Sequence, residues 1–178
     1  MRREMKRKGF TLVELLIVIV VIGILSAMMM LSSTEAVTSA KVNNIVSNLR
    51  NLKTAALAFY VDNMDGVAEG TITDAKLNDE DGNVWTYLGA SEIPDKKFYK
   101  VHILEKSGND VGAWYITCKV GKDGNDTGVG TTAREIAAIK SKLKGRAKSL
   151  GLEQATSGTS VTVGTEYTNG DYVALKVR

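Results

Sequence analysis

The chain has 178 residues, 44% of them hydrophobic and 24% charged, with a formal net charge of +3. That is the length of one modest domain plus an anchor, and a single cysteine excludes an intrachain disulfide. The first nine residues hold five bases and one acid, a local +4, so the remainder carries −1, and the basic balance reports membrane orientation rather than an acidic partner.

Residues 1–9 form a basic leader, with Arg2, Arg3, Lys6, Arg7 and Lys8 against Glu4. Phe10 to Leu31 is a run of 22 residues whose only strongly polar member is Glu14. As a helix it reaches about 33 Å, enough to cross a hydrocarbon core of roughly 30 Å. Basic flanks stay cytoplasmic, so the rest of the chain is expected to face outward. An ordinary secretory signal fits less well. It needs small residues at alternate positions after its apolar core, and the nearest candidate, Leu25-Ser26-Ala27, has a bulky outer residue. A lipoprotein signal needs a cysteine here, and the chain's one cysteine is Cys118. A plain anchor explains the length and the flank but not Glu14. An acid in a spanning segment costs about 2.5–3.5 kcal/mol at the centre, less near an end.

Lys8-Gly9-Phe10-Thr11-Leu12-Val13-Glu14 resembles the processing and assembly motif of type IV pilins and of the pseudopilins of type II secretion. The resemblance implies that a membrane-bound prepilin peptidase cuts between Gly9 and Phe10 and that Phe10 is then N-methylated. It implies a single-pass precursor in the cytoplasmic membrane. An inner-membrane assembly platform would build that precursor, with copies of itself and related pilins, into an extracellular or periplasmic filament (a fimbrium or pseudopilus). Cleavage frees an α-amine whose ordinary pKa is near 8. Away from water that cation needs an anion, and Glu14 of the same or a neighbouring subunit is the expected assembly partner.

Residues 32–61 contain no Pro or Gly, and Ile45, Leu49, Leu52, Ala56 and Phe59 recur at steps of four, three, four and three. That is the stripe of an amphipathic helix. One helix from about Thr11 to about Asp62 would be roughly 78 Å long. Pilins often kink this helix with a proline, but here the one proline is Pro94, so no strong kink is expected. Asp62-Asn63-Met64-Asp65-Gly66 has the chemistry of a terminating turn. Residues 67–97 are polar and resemble the variable loop of pilins, with a turn expected at Asp79-Glu80-Asp81-Gly82 and a short strand at Val84–Leu88.

Alternation in Tyr99–Ile103 and Trp114–Val120, with Gly108-Asn109-Asp110 between, predicts an antiparallel hairpin with one face on the helix. Thr132-Ala133-Arg134-Glu135 fits a capping box. Ile136, Ile139, Leu143, Ala147 and Leu150 follow at helical spacing, with Gly151 as terminator. Ser160–Tyr167 and Tyr172–Val177 flank Asn169-Gly170, a strong hairpin signal, with Val173, Leu175 and Val177 facing inward. The expected class is α+β and pilin-like: a long N-terminal helix on an antiparallel sheet, with one further helix. The expected divisions are a leader at 1–9, a transmembrane and assembly segment at 10–31, an amphipathic segment at 32–62 and a globular head at 63–178. Many pilins close a C-terminal loop with a disulfide; with one cysteine, another device must hold that end.

Enzyme chemistry finds little support. His102, the one histidine, falls on the polar side of its strand pattern and is expected to be solvated. Cys118 alternates with Trp114, Ile116 and Val120 and is expected to be a small core residue. There is no phosphate-binding glycine loop and no zinc-ligand spacing, so no enzyme activity and no resident cofactor are expected. Asp123, Asn125 and Asp126 cluster hard oxygens in one loop, and the resemblance to pseudopilins that hold calcium makes them calcium candidates. They lack EF-hand spacing, and plain turn formation is the stronger reading. Lys140, Lys142, Lys144, Arg146 and Lys148 could meet nucleic-acid phosphates, but without interleaved aromatics a solvated face is favoured. The best functional expectation is a structural filament subunit serving adhesion, motility, secretion or DNA uptake. The alternative is a bitopic anchored protein that binds a ligand as a monomer.

Overall fold

A computed structural model describes residues 9–69, 71–78, 84–88, 93, 96–103, 112–123, 126–156 and 161–178, without the side chains at 30–33, 68, 74, 122–123, 126–127 and 161–164. The expected turns at Asp79–Gly82 and Gly108–Asp110 and the leader up to Lys8 lie outside the described residues. The chain divides into two compact units, Met1–Val37 and Thr38–Arg178.

Helix α1 runs Leu12–Asp62, 51 residues, with the strong helix formers Leu, Ala and Met frequent and no proline inside it. Its residues to Val37 belong to the first unit and are considered below. From Thr38 onward its periodicity becomes a packing surface. Val42, Ile45, Leu49, Leu52, Ala56 and Phe59 are all buried, as the four-three spacing requires. The helix breaks at Asn63, whose side-chain Nδ2 donates back to Phe59 O at 2.9 Å. The turn expected at 62–66 is in fact a break followed by another helical turn, α2 (Met64–Ala68), because Val67 has a core site to fill. Helix α3 (Asp74–Asn78) follows, anchored by the fully buried Leu77.

Val84–Leu88 is a 3-10 turn rather than the expected strand. Val84 is buried, and Trp85 and Leu88 pack half-buried on the core. Sites at i, i+1 and i+4 suit a helical turn, whereas a strand would need alternate sites and a ladder partner.

Among the described residues seven strands follow: β1 (Tyr99–Ile103), β2 (Trp114–Lys119), β3 (Lys122–Asp123), β4 (Asp126–Thr127), β5 (Leu152–Ala155), β6 (Val161–Glu166) and β7 (Tyr172–Lys176), with helix α4 (Ala133–Leu150) before β5. The main sheet is ordered β1-β2-β7-β5-β6, with antiparallel pairing throughout. The β1–β2 hairpin forms as the alternation predicts, with Val101 opposite Ile116. Val173, Leu175 and Val177 are buried as expected. Cys118 is fully buried in the same core.

The second hairpin does not form. β6 and β7 are not neighbours; β5 lies between them and pairs with both. The Asn169-Gly170 segment crosses over the end of β5. There Gln154 Oε1 accepts from Thr168 N, Thr168 Oγ1 and Asn169 N at 3.3, 2.7 and 3.4 Å. Tyr167 N bonds Leu152 O at 3.0 Å, and Tyr167 O–H donates to Gly170 O at 2.8 Å. The four-residue strand directly after Gly151 is too short to announce itself by alternation, and its insertion overrides the turn signal.

His102 also departs from expectation. It is 2% exposed, with Nε2 3.1 Å from Thr117 Oγ1. All six residues of β2 are buried. Tyr115, Ala155 and Ala174 form a small second core on the face opposite α1, with Ala113 and Tyr172 packed against it. Alternation distinguishes two faces of a sheet but does not say that the more polar face is wet.

α4 is capped at both ends. Thr132 Oγ1 accepts from Glu135 N at 3.2 Å, and Glu135 Oε2 reaches back to Thr131 N at 3.0 Å and Thr131 Oγ1 at 2.8 Å. The returning bond thus lands one residue earlier than in the usual box. Gly151 ends the helix at φ +65°, a left-handed conformation that favours glycine. The C-terminus is held without a disulfide. Val177 N donates to Trp114 O at 2.8 Å, and the Arg178 guanidinium stacks 4.3 Å from the Tyr60 ring, a contact worth about 0.5–1 kcal/mol when exposed.

Lys41 Nζ bonds Glu135 Oε1 at 2.6 Å. That bond, first, and the Thr131 amide hold the Glu135 carboxyl down at about 2, against an ordinary 4.5. A depressed acid stabilises the fold above its unfolded pKa, and the contribution is lost as pH falls from about 4.5 toward 2. Glu135→Gln should therefore lower stability by about 1 kcal/mol at neutral pH. Thermal melts of variant and parent should converge near pH 2.

Candidate processing and assembly site

The apolar half of the helix lies in the first unit. Phe10 is 85% exposed and Leu12 87%, and every large apolar residue described from Phe10 to Met29 is exposed. The helix is long and apolar enough to cross a membrane by length and composition. In water so large an apolar surface would be severely unfavourable, so its solvent is lipid or other protein. Gly9 stands just before this segment. A Cβ placed on it would meet nothing within 4 Å, so the chain's own packing does not demand glycine there.

Glu14 is engaged within its own helix. Its Oε2 accepts from Thr11 N at 2.8 Å and from Thr11 Oγ1 at 2.8 Å, while Glu14 N donates to Thr11 Oγ1 at 3.2 Å. This is a capping box on Thr11-Leu12-Val13-Glu14, and it satisfies donors that a helix start otherwise leaves open. The acid also sits where the helix dipole favours a negative charge. The same T-x-x-E spacing that marks α4 was present here, and sequence reasoning passed over it because the surrounding apolar run drew attention to membrane cost.

The remaining candidates are scattered. Asp123 and Asp126 are register partners in the β3–β4 pair; Asn125 lies outside the described residues. No group of three or more His, Cys, Asp and Glu able to hold a metal occurs among the described residues. Cys118 is fully buried, and burial pushes its thiol up to about 12, the opposite of an activated nucleophile. Three of the six cations on α4 are occupied internally. Lys140 Nζ meets Asp171 Oδ1 at 2.5 Å, Lys142 Nζ meets Ser39 Oγ at 2.6 Å, and Arg146 Nη1 meets Asn43 Oδ1 at 2.7 Å. The basic stripe is largely a seam between elements of the second unit.

A long apolar N-terminal helix, an antiparallel sheet and one shorter helix define a pilin-like α+β protein. Residues 5–30 match the family model described as the prokaryotic N-terminal methylation motif. Two curated fimbrial proteins of Pseudomonas aeruginosa are each 36% identical to the chain over 72 residues, 40% of this chain and 47% of theirs. The chain thus spans about half the length of these curated relatives. No solved structure gives a significant match. The likeness is thus to a prokaryotic N-terminal methylation motif at one end of the chain and, over 72 residues, to fimbrial proteins.

The capping box makes a local forecast. Thr11→Val removes the hydroxyl that accepts from Glu14 N and donates to Oε2. The first turn of α1 should lose about 0.5–1 kcal/mol, seen as faster amide exchange at Glu14 in detergent micelles with protection unchanged beyond Ile19.

Proposed function

We propose that the chain is a prepilin: a membrane-stored precursor, cut between Gly9 and Phe10, methylated at Phe10 and polymerised through its apolar N-terminal helix into a type IV-like filament. The observation that carries this reading is an apolar helix whose described large side chains, Leu12 to Met29, are all exposed, with a single acid in its first turn. The motif match over residues 5–30 supports it. A basic leader orients the precursor. After cleavage the new amine of Phe10 lies one residue from Thr11, close to the carboxylate that Thr11 already holds.

Glu14 then has two calls on it. In an undocked subunit the Thr11 N–H and hydroxyl satisfy it, which lowers the cost of keeping an acid at the membrane edge. In a bundle, a buried amine without an anion would be strongly unfavourable, so a neighbour's Phe10 amine is the stronger partner. Because the apolar segment Phe10–Leu31 holds one acid and would begin with one α-amine, their pairing fixes axial register in a surface that is otherwise uniformly greasy. Extraction from lipid offers no evident gain in apolar burial, so an assembly platform has to drive the step. Adhesion, motility, secretion and DNA uptake are all served by such filaments.

Mass spectrometry of the native protein should find an N-terminus at Phe10, heavier than the unmodified chain by one methyl group. Glu14→Ala should be processed normally yet enter filaments at under a tenth of the parent level in sheared surface material. A native chain that begins at Met1, or a Glu14→Ala chain that assembles at parent level, would overturn the proposal.

A further inference from the structure

Asn169-Gly170 has the composition of a hairpin turn, yet it lies in the crossover from Glu166, the end of β6, to Tyr172, the start of β7, outside both ladders. The two-residue turn that Asn-Gly favours needs a positive φ at the glycine, and Gly170 does not adopt one. Two side chains clasp the backbone around the pair. Gln154 Oε1 accepts from Thr168 N and Asn169 N at 3.3 and 3.4 Å. The buried Tyr167 donates its phenol O–H to Gly170 O at 2.8 Å.

Glycine is required at 170. A Cβ there would stand 2.9 Å from Gln154 Cγ and Cδ, too close for any other residue without displacing the clasp. No such demand falls on its neighbour. Asn169 is exposed, and among the described residues its carboxamide makes no hydrogen bond. The Gly170 N–H likewise meets no acceptor among the described residues. These are the two groups of an Asn-Gly sequence that can react with each other. The carboxamide carbon and the next amide nitrogen can close a succinimide ring, and glycine has no Cβ to crowd the approach.

We propose that Asn169 is a spontaneous modification site, converted in the folded protein through a succinimide to aspartate and isoaspartate, with water as the co-reactant. Gly170 N attacks Asn169 Cγ. A Cγ–N bond forms, the Cγ–Nδ2 bond breaks, and Nδ2 leaves as ammonia with the proton that Gly170 N gives up. Water then opens the ring, and nothing is oxidised or reduced. Attack at Cγ breaks its bond to Gly170 N and yields aspartate. Attack at the main-chain carbonyl carbon of residue 169 breaks the original peptide bond and yields isoaspartate, with the chain running on through Cγ. Either product puts a carboxylate two residues from Asp171, whose Oδ1 already meets Lys140 Nζ. Isoaspartate also adds one carbon to the main chain and moves Gly170 O relative to Tyr167. The site stands whether or not the chain forms filaments.

The test ages the full chain in detergent micelles in mildly alkaline buffer, beside the same chain unfolded in urea. Trypsin releases Ser149–Lys176, in which Asn169 is the one asparagine. That peptide should become about 1 Da heavier and split into two chromatographic species. Its half-time in the folded chain should lie within about tenfold of that in urea, as expected for a segment that opens at little cost. Fragmentation should place the change at residue 169, and Asn169→Ser should abolish it. A folded-chain half-time longer than that limit overturns the proposal, because the clasp would then be keeping the ring-forming atoms apart. So does a mass change that maps to Gln154 or persists in Asn169→Ser.

Discussion

The second unit depends on one buried stripe, Val42 to Phe59, along α1. Each of its apolar side chains faces the sheet because the helix turns 3.6 residues per turn and the sequence supplies Val, Ile, Leu, Leu, Ala and Phe at that rhythm. Against it lie Val101, Ile116, Cys118, Val173 and Leu175 from three adjacent strands, with the Phe59 and Tyr60 rings 6.3 and 5.5 Å from that of Trp114. The polar seam from α4 to Ser39, Lys41 and Asn43 is positioned by this packing. Those side chains can meet their partners only because Ile139, Leu143 and Ala147 are already seated. The same helix carries, from Leu12 to Met29, large apolar side chains that are exposed, and that contrast separates the two units chemically.

Much of the fold was legible because its signals were local and repetitive. The α1 stripe, the β1–β2 alternation and both caps of α4 each rest on a spacing that one helix or one hairpin imposes. What escaped rests on tertiary competition. Asn169-Gly170 is a good hairpin turn in isolation, but β5 pairs with β7 along four residues and takes the place that β6 would have had. β5 itself offers only Leu-Glu-Gln-Ala, too short for a period. His102 was misread for a related reason. Its burial depends on whether something covers the second face of the sheet, and the strand's own sequence carries no trace of that. Val84–Leu88 has β-type composition, yet the core asked for a helical turn there.

Legibility of the site was uneven in a different way. Gly9, Phe10 and Glu14 stood out from the sequence because an acid inside a greasy run demands an explanation. The partner that Glu14 has within its own chain did not stand out. Thr11 is a weakly polar residue in an apolar context, and only the three-residue spacing betrays the cap. The α4 cations show the reverse. Six bases on one helix look like an external surface, and three of them turn inward to Ser39, Asn43 and Asp171. That needs distances across the fold of about a hundred residues in two cases, which no local pattern encodes.

The strand order has a bearing on biogenesis. β7, which follows the other strands in the sequence, sits in the middle of the sheet, between β2 and β5. The hairpins β1–β2 and β5–β6 are each contiguous in the chain and free to form early, but they share no bond until β7 slides between them. A chain made from its N-terminal end would therefore hold two separate half-sheets until Tyr172–Lys176 joined them. Closure of the sheet depends on the strand made after the other six, so a fault in that short segment would leave both hairpins formed and the sheet still open.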